Sequence, residues 1–349
     1  MPLYNPYEGV DWETVEHYQS VTHAHPRTGA NLESAAAQGV RHLATTEYDY
    51  WSYPFTEFYD PVPPGLIQMP NTERGGFFGV PTSWIHISTP GSLLRPDQTG
   101  AVMTGHNVPW IHDPAGDGHW KSLTDAAVAA PWHENYVMLQ INHPMRRTAP
   151  DVADPVAMAR WMNEFYDYAP EHNKLLEIYN DSTNNPSRTG AWAVEMWQES
   201  IKTGRRIFAV MSPDHTIRAG AFRGRNYVLL PGQSSPTDFA EAYFKGQFYC
   251  ALEDTSLKFK SIIASGGEVS VEAEGSSVIR FITDDGLLLD TTSAIASVQV
   301  PEGAVFIRIE IESSDNVAFS QPIFYRDLGG VDHSYGRRKA HLLLHQDCL

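Results

Sequence analysis

The strongest constraint on this chain's fold is a change of apolar rhythm near residue 245. Before it, "HLATT", "FFGVPT", "VMLQINHP", "KLLEIYN" and "RIFAVMSPDH" are short apolar runs that end in polar residues, the pattern of strands buried on both faces. Between them lie candidate helices: "NLESAAAQG" with Asn31 as N-cap, "DPVAMARWMNEFYDYAP", and "GAWAVEMWQESIKTG" closed by Gly204. Such alternation predicts an α/β fold with a mainly parallel sheet or barrel. From about residue 256, "LKFKSIIA", "EVSVEAE", "SVIRFITDDGLLLD", "ASVQVP" and "AVFIRIEIE" follow one another with only turns between. "VSVEAE" and "FIRIEIE" alternate strictly, and "DDG" is a hairpin turn, so a small antiparallel β-sandwich is expected there. The bridge, "PTDFAEAYFKGQFYCALED", reads as a helix and a returning strand. The expected division is 1–250, 251–327 for the sandwich, and a tail at 328–349.

A chain of 349 residues with 42% hydrophobic and 19% charged residues is globular and long enough for two domains. No apolar run is long enough for a membrane-spanning helix. The net charge of −17 argues against nucleic acid and anionic membranes as partners and leaves a small-molecule substrate. Cys250 and Cys348 make no disulfide framework and suit a reducing cytoplasm, although a removed leader is compatible with this start. Oligomeric state is not legible.

The chemistry is carried by residues at the ends of the apolar runs. His23 and His25 stand two apart after the first run; on an extended strand both project to one side, which suits a divalent metal. Glu73 in "MPNTERGG", His86 in "SWIHIS", His106 in "TGHNVPW", His143 in "INHP", and Asp214 with His215 in "SPDH" nearly all fall at the C-terminal ends of predicted strands. In a parallel α/β barrel those ends form one face, where active sites are built. His17, His42, His119, His133, His172 and His333 have no motif around them and are read as structural.

The order of these segments resembles the polymerase-and-histidinol-phosphatase (PHP) superfamily, whose members begin with a His-x-His strand. "GVRHLATTEYD" is similar to its Gly-x-x-x-Leu-Ala-x-Thr-Asp-His-Asp segment, "MPNTER" to its Gly-Asn-Glu segment, and "INHPMR" to Asn-His-Pro-Gly-Arg. "LLEIYN" and "GRNYVLLP…YFKGQFYCAL" resemble a later strand and the exit from the barrel. The likeness covers roughly residues 5 to 252. It implies a distorted (β/α)7 TIM-like barrel followed by a β-sandwich. It also implies a dinuclear centre: His23, His25 and Asp214 on one metal, Glu73 bridging, and His143 with one more histidine on the second. "HIST" favours His86 for that place, with His106 the competitor and the loser lining the pocket.

Departures from the family pattern limit the expectation to two ions. Thr46-Glu47-Tyr48 replaces Thr-Asp-His, so the expected ligands of a third metal are missing. Tyr48, with a phenol that titrates near 10, is a poor ligand and is read as a pocket hydrogen-bond donor. In "SPDH" Asp214 and His215 are adjacent, where the family has one residue between; Asp214 is assigned to the metal and His215 more loosely. Histidine and carboxylate ligation suits manganese, iron or zinc. The implied activity is a metal-dependent hydrolase of phosphate esters acting through metal-bound hydroxide. Arg146 beside His143 is the candidate phosphate clamp, joined by Arg147 and Arg27. Trp51, Trp84 and Trp110 would give an apolar wall. Alternatives are a carboxylic ester, amide or carbamate hydrolase, and a degenerate scaffold that binds a ligand without chemistry.

Overall fold

The computed structural model describes residues 1–46, 52–76, 85–94, 119–133, 136–144, 155–183, 192–252 and 256–326. In chain order the first half comprises β1 (Glu16–Val21), α1 (Gly29–Ala37), β2 (Val40–Ala44), β3 (Ile67–Met69), β4 (Glu73–Gly76), β5 (Ile85–Ser88), α2 (His119–Val128), β6 (Leu139–Asn142), α3 (Pro155–Tyr168) and β7 (Asn173–Asn180). There follow α4 (Val194–Ile201), β8 (Phe208–Ser212), β9 (Arg225–Leu230), α5 (Pro236–Phe244) and β10 (Phe248–Ala251). The remainder is all strand: β11 (Lys258–Ser265), β12 (Glu268–Glu274), β13 (Val278–Thr283), β14 (Gly286–Thr291), β15 (Ile295–Gln299), β16 (Phe306–Glu312), β17 (Val317–Ser320) and β18 (Ile323–Phe324).

This arrangement overturns the expected TIM-like barrel. Five α-helices stand among the described residues where such a barrel needs about seven, and strand outweighs helix, 38% to 21%, in large mixed sheets. One sheet runs β14-β13-β16-β17-β10-β9-β1-β2-β3, with β18 on β16; a second runs β4-β5-β6-β7-β8; a third runs β11-β12-β15. The physical reason lies in the connections. A parallel pair needs a long crossover, usually helical, whereas a short link returns the chain antiparallel. Helices α3 and α4 do separate the parallel strands β6, β7 and β8. Between β8 and β9 stands only a 3-10 turn, His215–Ala219, and β9 runs antiparallel to β1. Strands β4 and β5 are antiparallel neighbours, and β5 and β6 pair antiparallel even though α2 stands between them in the chain.

Local sequence explains the elements that do form. Helix α1 starts earlier than Asn31: Thr28 is its N-cap and accepts from the Asn31 N–H, because a hydroxyl in extended backbone satisfies the first-turn donors. Ser235 and Asp238 form a reciprocal capping box on α5, with Pro236 opening the helix. Gly204 after α4 has φ +82, a left-handed turn that a side chain would strain. Every residue of β7 is buried, its polar Asn173, Lys174, Glu177 and Asn180 included, whereas β12 and β13 alternate, one face inward.

The C-terminal strands form two antiparallel layers, and Phe259, Ile262, Val271, Ile279, Phe281 and Ile309 interdigitate between them. The larger layer is continuous with the first sheet, since β17 pairs with β10. Around α3 and α4, Phe165, Met196 and Trp197 pack against β6, β7 and β8 in a second core. The predicted strand "FFGVPT" and the tail 328–349 lie outside the described residues.

Candidate metal centre

The ends of β1 and β8 are tied together by a bridge between Ala24 and Asp214. The Asp214 N–H donates to His23 O (3.3 Å) and the His25 N–H to Asp214 O (3.4 Å). His23 and His25 flank Ala24, and their rings meet edge to face with centroids 5.4 Å apart. From the five-stranded sheet, β4 brings Glu73 opposite Ser88 of β5, and His86 of β5 pairs with Asn142 of β6. His143 follows β6 directly, so the second sheet delivers its donors to the same place.

Glu73 is the hub. Its Oε1 lies 3.2 Å from His23 Nε2, 2.8 Å from His86 Nδ1 and 3.3 Å from His143 Nε2; its Oε2 lies 2.9 Å from His25 Nε2. Asn142 Nδ2 donates to Oε1 at 2.9 Å and to Ser88 Oγ at 2.7 Å, which fixes the carboxylate's plane. Asp214 Oδ1 faces His23 Nε2 at 3.5 Å and His25 Nε2 at 3.4 Å. Ser182 Oγ donates to Asp214 Oδ2 at 2.5 Å. His23, His25, Glu73 and Asp214 have no exposed surface, and His143 is 2% exposed.

Two triads therefore have donor atoms within 4.8 Å of one another and share His23: His23, His25 and Asp214, and His23, Glu73 and His143. His86 closes on the second triad, its ring centroid 4.7 Å from that of His143. His215 stacks on His25 at 4.4 Å and sets Nε2 3.6 Å from Asp214 Oδ1. On an extended strand the neighbours Asp214 and His215 would point to opposite sides. Asp214 instead has φ +51 and opens the 3-10 turn, which folds His215 over the cluster.

Electrostatics follow the geometry. Burial opposes a charge on His23, but Glu73, Glu177 and Asp214 win and raise its pKa well above the ordinary imidazole value. Burial would likewise raise Glu73, yet His23 and His86 hold its carboxyl well below the usual range. For Asp214, burial is again outweighed, by His23, His215 and His25, and its pKa is lowered. Burial pushes His215 down to about 3, against the pull of Asp214, and lowers His143 despite its bond to Glu73. The carboxylates are thus held ionised, as carboxylate ligands must be, while the proton that Glu73, Glu177 and Asp214 hold on His23 is one that an ion bound at this imidazole would displace.

Of the residues singled out from sequence, His23, His25, Glu73, His86, His143, Asp214 and His215 are brought together. Tyr48, His106, Arg146, Arg147, Trp51, Trp84 and Trp110 lie outside the described residues, so the choice between His86 and His106 concerns His86 alone here. Arg27 is exposed with φ +64. His42 is structural, bonded to Ser20 Oγ at 2.6 Å and stacked on Phe239. Sequence reasoning missed Asn142, Ser182 and Ser212. Asn142, next to His143 in "INHP", is the one with a signal, because a buried amide beside a ligand is a common way to orient it.

Comparison with protein-family models gives no match, and comparison with curated proteins gives none either.

Proposed function

We propose that this chain is a metal-dependent hydrolase with two divalent transition-metal ions, acting on phosphate esters of small molecules. One observation carries the reading: a fully buried carboxylate, Glu73, is ringed by His23, His25, His86 and His143 nitrogens, with Asp214 completing the set. Buried polar groups are normally hydrogen-bonded. His23 Nε2 and Glu73 Oε2 make no hydrogen bond among the described residues, although both point into the cluster. Two such buried atoms aimed at a common centre fit a cation.

His23, His25 and Asp214 would hold one ion, His143 and His86 the other, with Glu73 between them. Nitrogen and carboxylate donors suit manganese, iron or zinc, and the buried Cys250 offers no competing thiolate in the cluster. When bound, such ions supply Lewis acidity and bring water's pKa towards neutrality. The chain's own work is to orient donors and admit substrate from one side. The His86 and His215 side chains, 12% and 27% exposed, are the part of the cluster that reaches the surface, the side from which a substrate would approach. The order of motifs that resembles the PHP superfamily supports phosphate as the group attacked. No helix among the described residues is long and apolar enough to cross a membrane. The cysteine usage supports a cytoplasmic setting.

The test is elemental analysis of the purified protein followed by a panel of p-nitrophenyl phosphate, bis-p-nitrophenyl phosphate and p-nitrophenyl acetate with added manganese. Two equivalents of metal and phosphatase turnover are expected. Acetate turnover alone would move the substrate class to carboxylic esters. Less than one equivalent after reconstitution, with no turnover, would overturn the proposal.

A further inference from the structure

We infer that Glu177 is the positioning residue that sets both donor triads at once; the inference rests on the metal-binding reading above. Glu177 is 1% exposed and stands behind the candidate ligands. Its Oε1 accepts from His23 Nδ1 at 2.8 Å and from the Ser212 hydroxyl. Its Oε2 accepts from the His143 backbone N–H and from Asn180 Nδ2 at 2.9 Å. Asn180 Nδ2 also reaches Asp214 Oδ2 at 3.3 Å. One carboxylate is thus bonded to the ligand shared by both triads and to the backbone of a ligand found in only one.

Each bond has a distinct consequence. Donation from His23 Nδ1 to a carboxylate fixes the imidazole tautomer and leaves Nε2 with its lone pair directed at the cluster. His143 has φ +32, a backbone conformation that a side chain rarely adopts, and capture of its N–H by Glu177 holds it there. The arrangement depends on a bulge in β7. Register passes from Glu177 opposite Val210 to Tyr179 opposite Met211, so Ile178 has no partner residue. On a regular strand residues 177 and 180 would face opposite sides; the extra residue returns Asn180 to the side of Glu177.

A glutamine at 177 would have one acceptor and one donor where both sides present donors. If its amide nitrogen faces His23, the ring must carry its proton on Nε2, and both triads lose that lone pair. If it faces His143, two N–H groups oppose each other and the strained backbone loses its anchor. Either way one of the two second-layer bonds is lost, a change that weakens binding of the ion it serves about 10- to 100-fold.

The experiment is a titration of full-length, chelator-stripped protein with Co²⁺, followed by calorimetry and by the visible d–d bands. Wild type is expected to take up two ions. Glu177→Gln should bind at least one ion about 10- to 100-fold more weakly, with shifted d–d bands, while its far-UV circular dichroism is unchanged. Wild-type affinity and bands in Glu177→Gln overturn the inference and leave the proposed function standing, as does weakening confined to one ion in Glu177→Asp, which withdraws both oxygens. Glu177→Asp, whose carboxylate is drawn back by one methylene, should weaken both ions, and it carries the test alone if Glu177→Gln does not fold. Failure of the wild type to bind Co²⁺ overturns the proposed function, and this inference with it, before any substitution is made.

Discussion

Glu73→Gln gives the sharpest test, because one substitution separates two effects of the same carboxylate. Without metal, Glu73 is the anion set against His23, His25, His86 and His143. Breaking a buried charged pair by removing one partner costs about 3–5 kcal/mol. Unfolding entropy for a chain of 349 residues is roughly 0.7 kcal/mol per kelvin, so the metal-free midpoint should fall by about 4–7 °C. With metal at a thousandfold its dissociation constant, each ion bound to the native protein adds about 4 kcal/mol, and two together raise the wild-type midpoint by about 11 °C. With Glu73 a ligand to both ions as proposed, loss of its charge should weaken each about 100-fold, which is about 2.7 kcal/mol. The residual rise is then about 4 °C at the same metal concentration. The assay is differential scanning calorimetry of chelator-treated protein with and without Mn²⁺ or Zn²⁺. A lowered baseline with an undiminished metal-induced rise would show that Glu73 is a structural anion and no ligand.

Other consequences follow from groups away from the cluster. His42 is fully buried and its pKa is pushed down to about 3 by that burial, so below about 6.5 the unfolded chain binds a proton that the native chain refuses. Stability therefore falls with decreasing pH between those values by roughly 1.4 kcal/mol per pH unit from this group, and His42→Phe should flatten the slope by that amount in urea titrations from pH 6 to 4; an unchanged slope would refute the assignment. Trp197 is fully buried, donates from Nε1 to Ile207 O at 2.9 Å and lies under the Arg308 guanidinium, so Trp197→Ala should cost about 3–5 kcal/mol by chemical denaturation. Ser235→Ala removes half of the α5 capping box and should cost about 1 kcal/mol, with no effect on metal uptake.

What was legible in the sequence was the set of donors; what was not was the frame that gathers them. His-x-His after an apolar run, the glutamate, "INHP" and "SPDH" stand out because imidazoles and carboxylates at the ends of buried strands are costly without a purpose. Their convergence does not require the barrel expected from the βα rhythm, since strand ends can meet through mixed pairing as well. The rhythm itself misled at β8 to β9, where a polar segment after "SPDH" gave no sign that the return would be antiparallel. Bulges are equally silent: nothing in "KLLEIYN" marks Ile178 as the residue without a partner, because every residue of that strand is apolar or buried. The positive φ of His143 and Asp214 is hidden for the opposite reason, as neither is a glycine whose presence would announce it.

The donors come from different sheets, which makes the junction between the sheets part of the site. His23 and His25 extend from β1, in the large sheet; Glu73, His86, His143 and Asp214 belong to the five-stranded sheet or its loops. Along this junction β8 is held by side chains that imitate a neighbouring strand. Asn226 accepts from the Met211 N–H at 3.1 Å and donates to Met211 O at 3.2 Å, and Gln321 does the same for Ala209 at 2.7 and 2.8 Å. Each amide satisfies a buried donor and a buried acceptor, so its removal should cost about 1–3 kcal/mol for each group left unpaired. Loss of Asn226 falls three residues from Asp214 along β8's exit, whereas Gln321 acts on the strand's first half. If the junction sets the spacing of the donors, Asn226→Ala should weaken metal uptake as well as stability, and Gln321→Ala should lower stability with a smaller effect on uptake. Equal weakening by both would mean that β8 moves as one rigid body, and no weakening by either would mean that the donors are placed by their own loops.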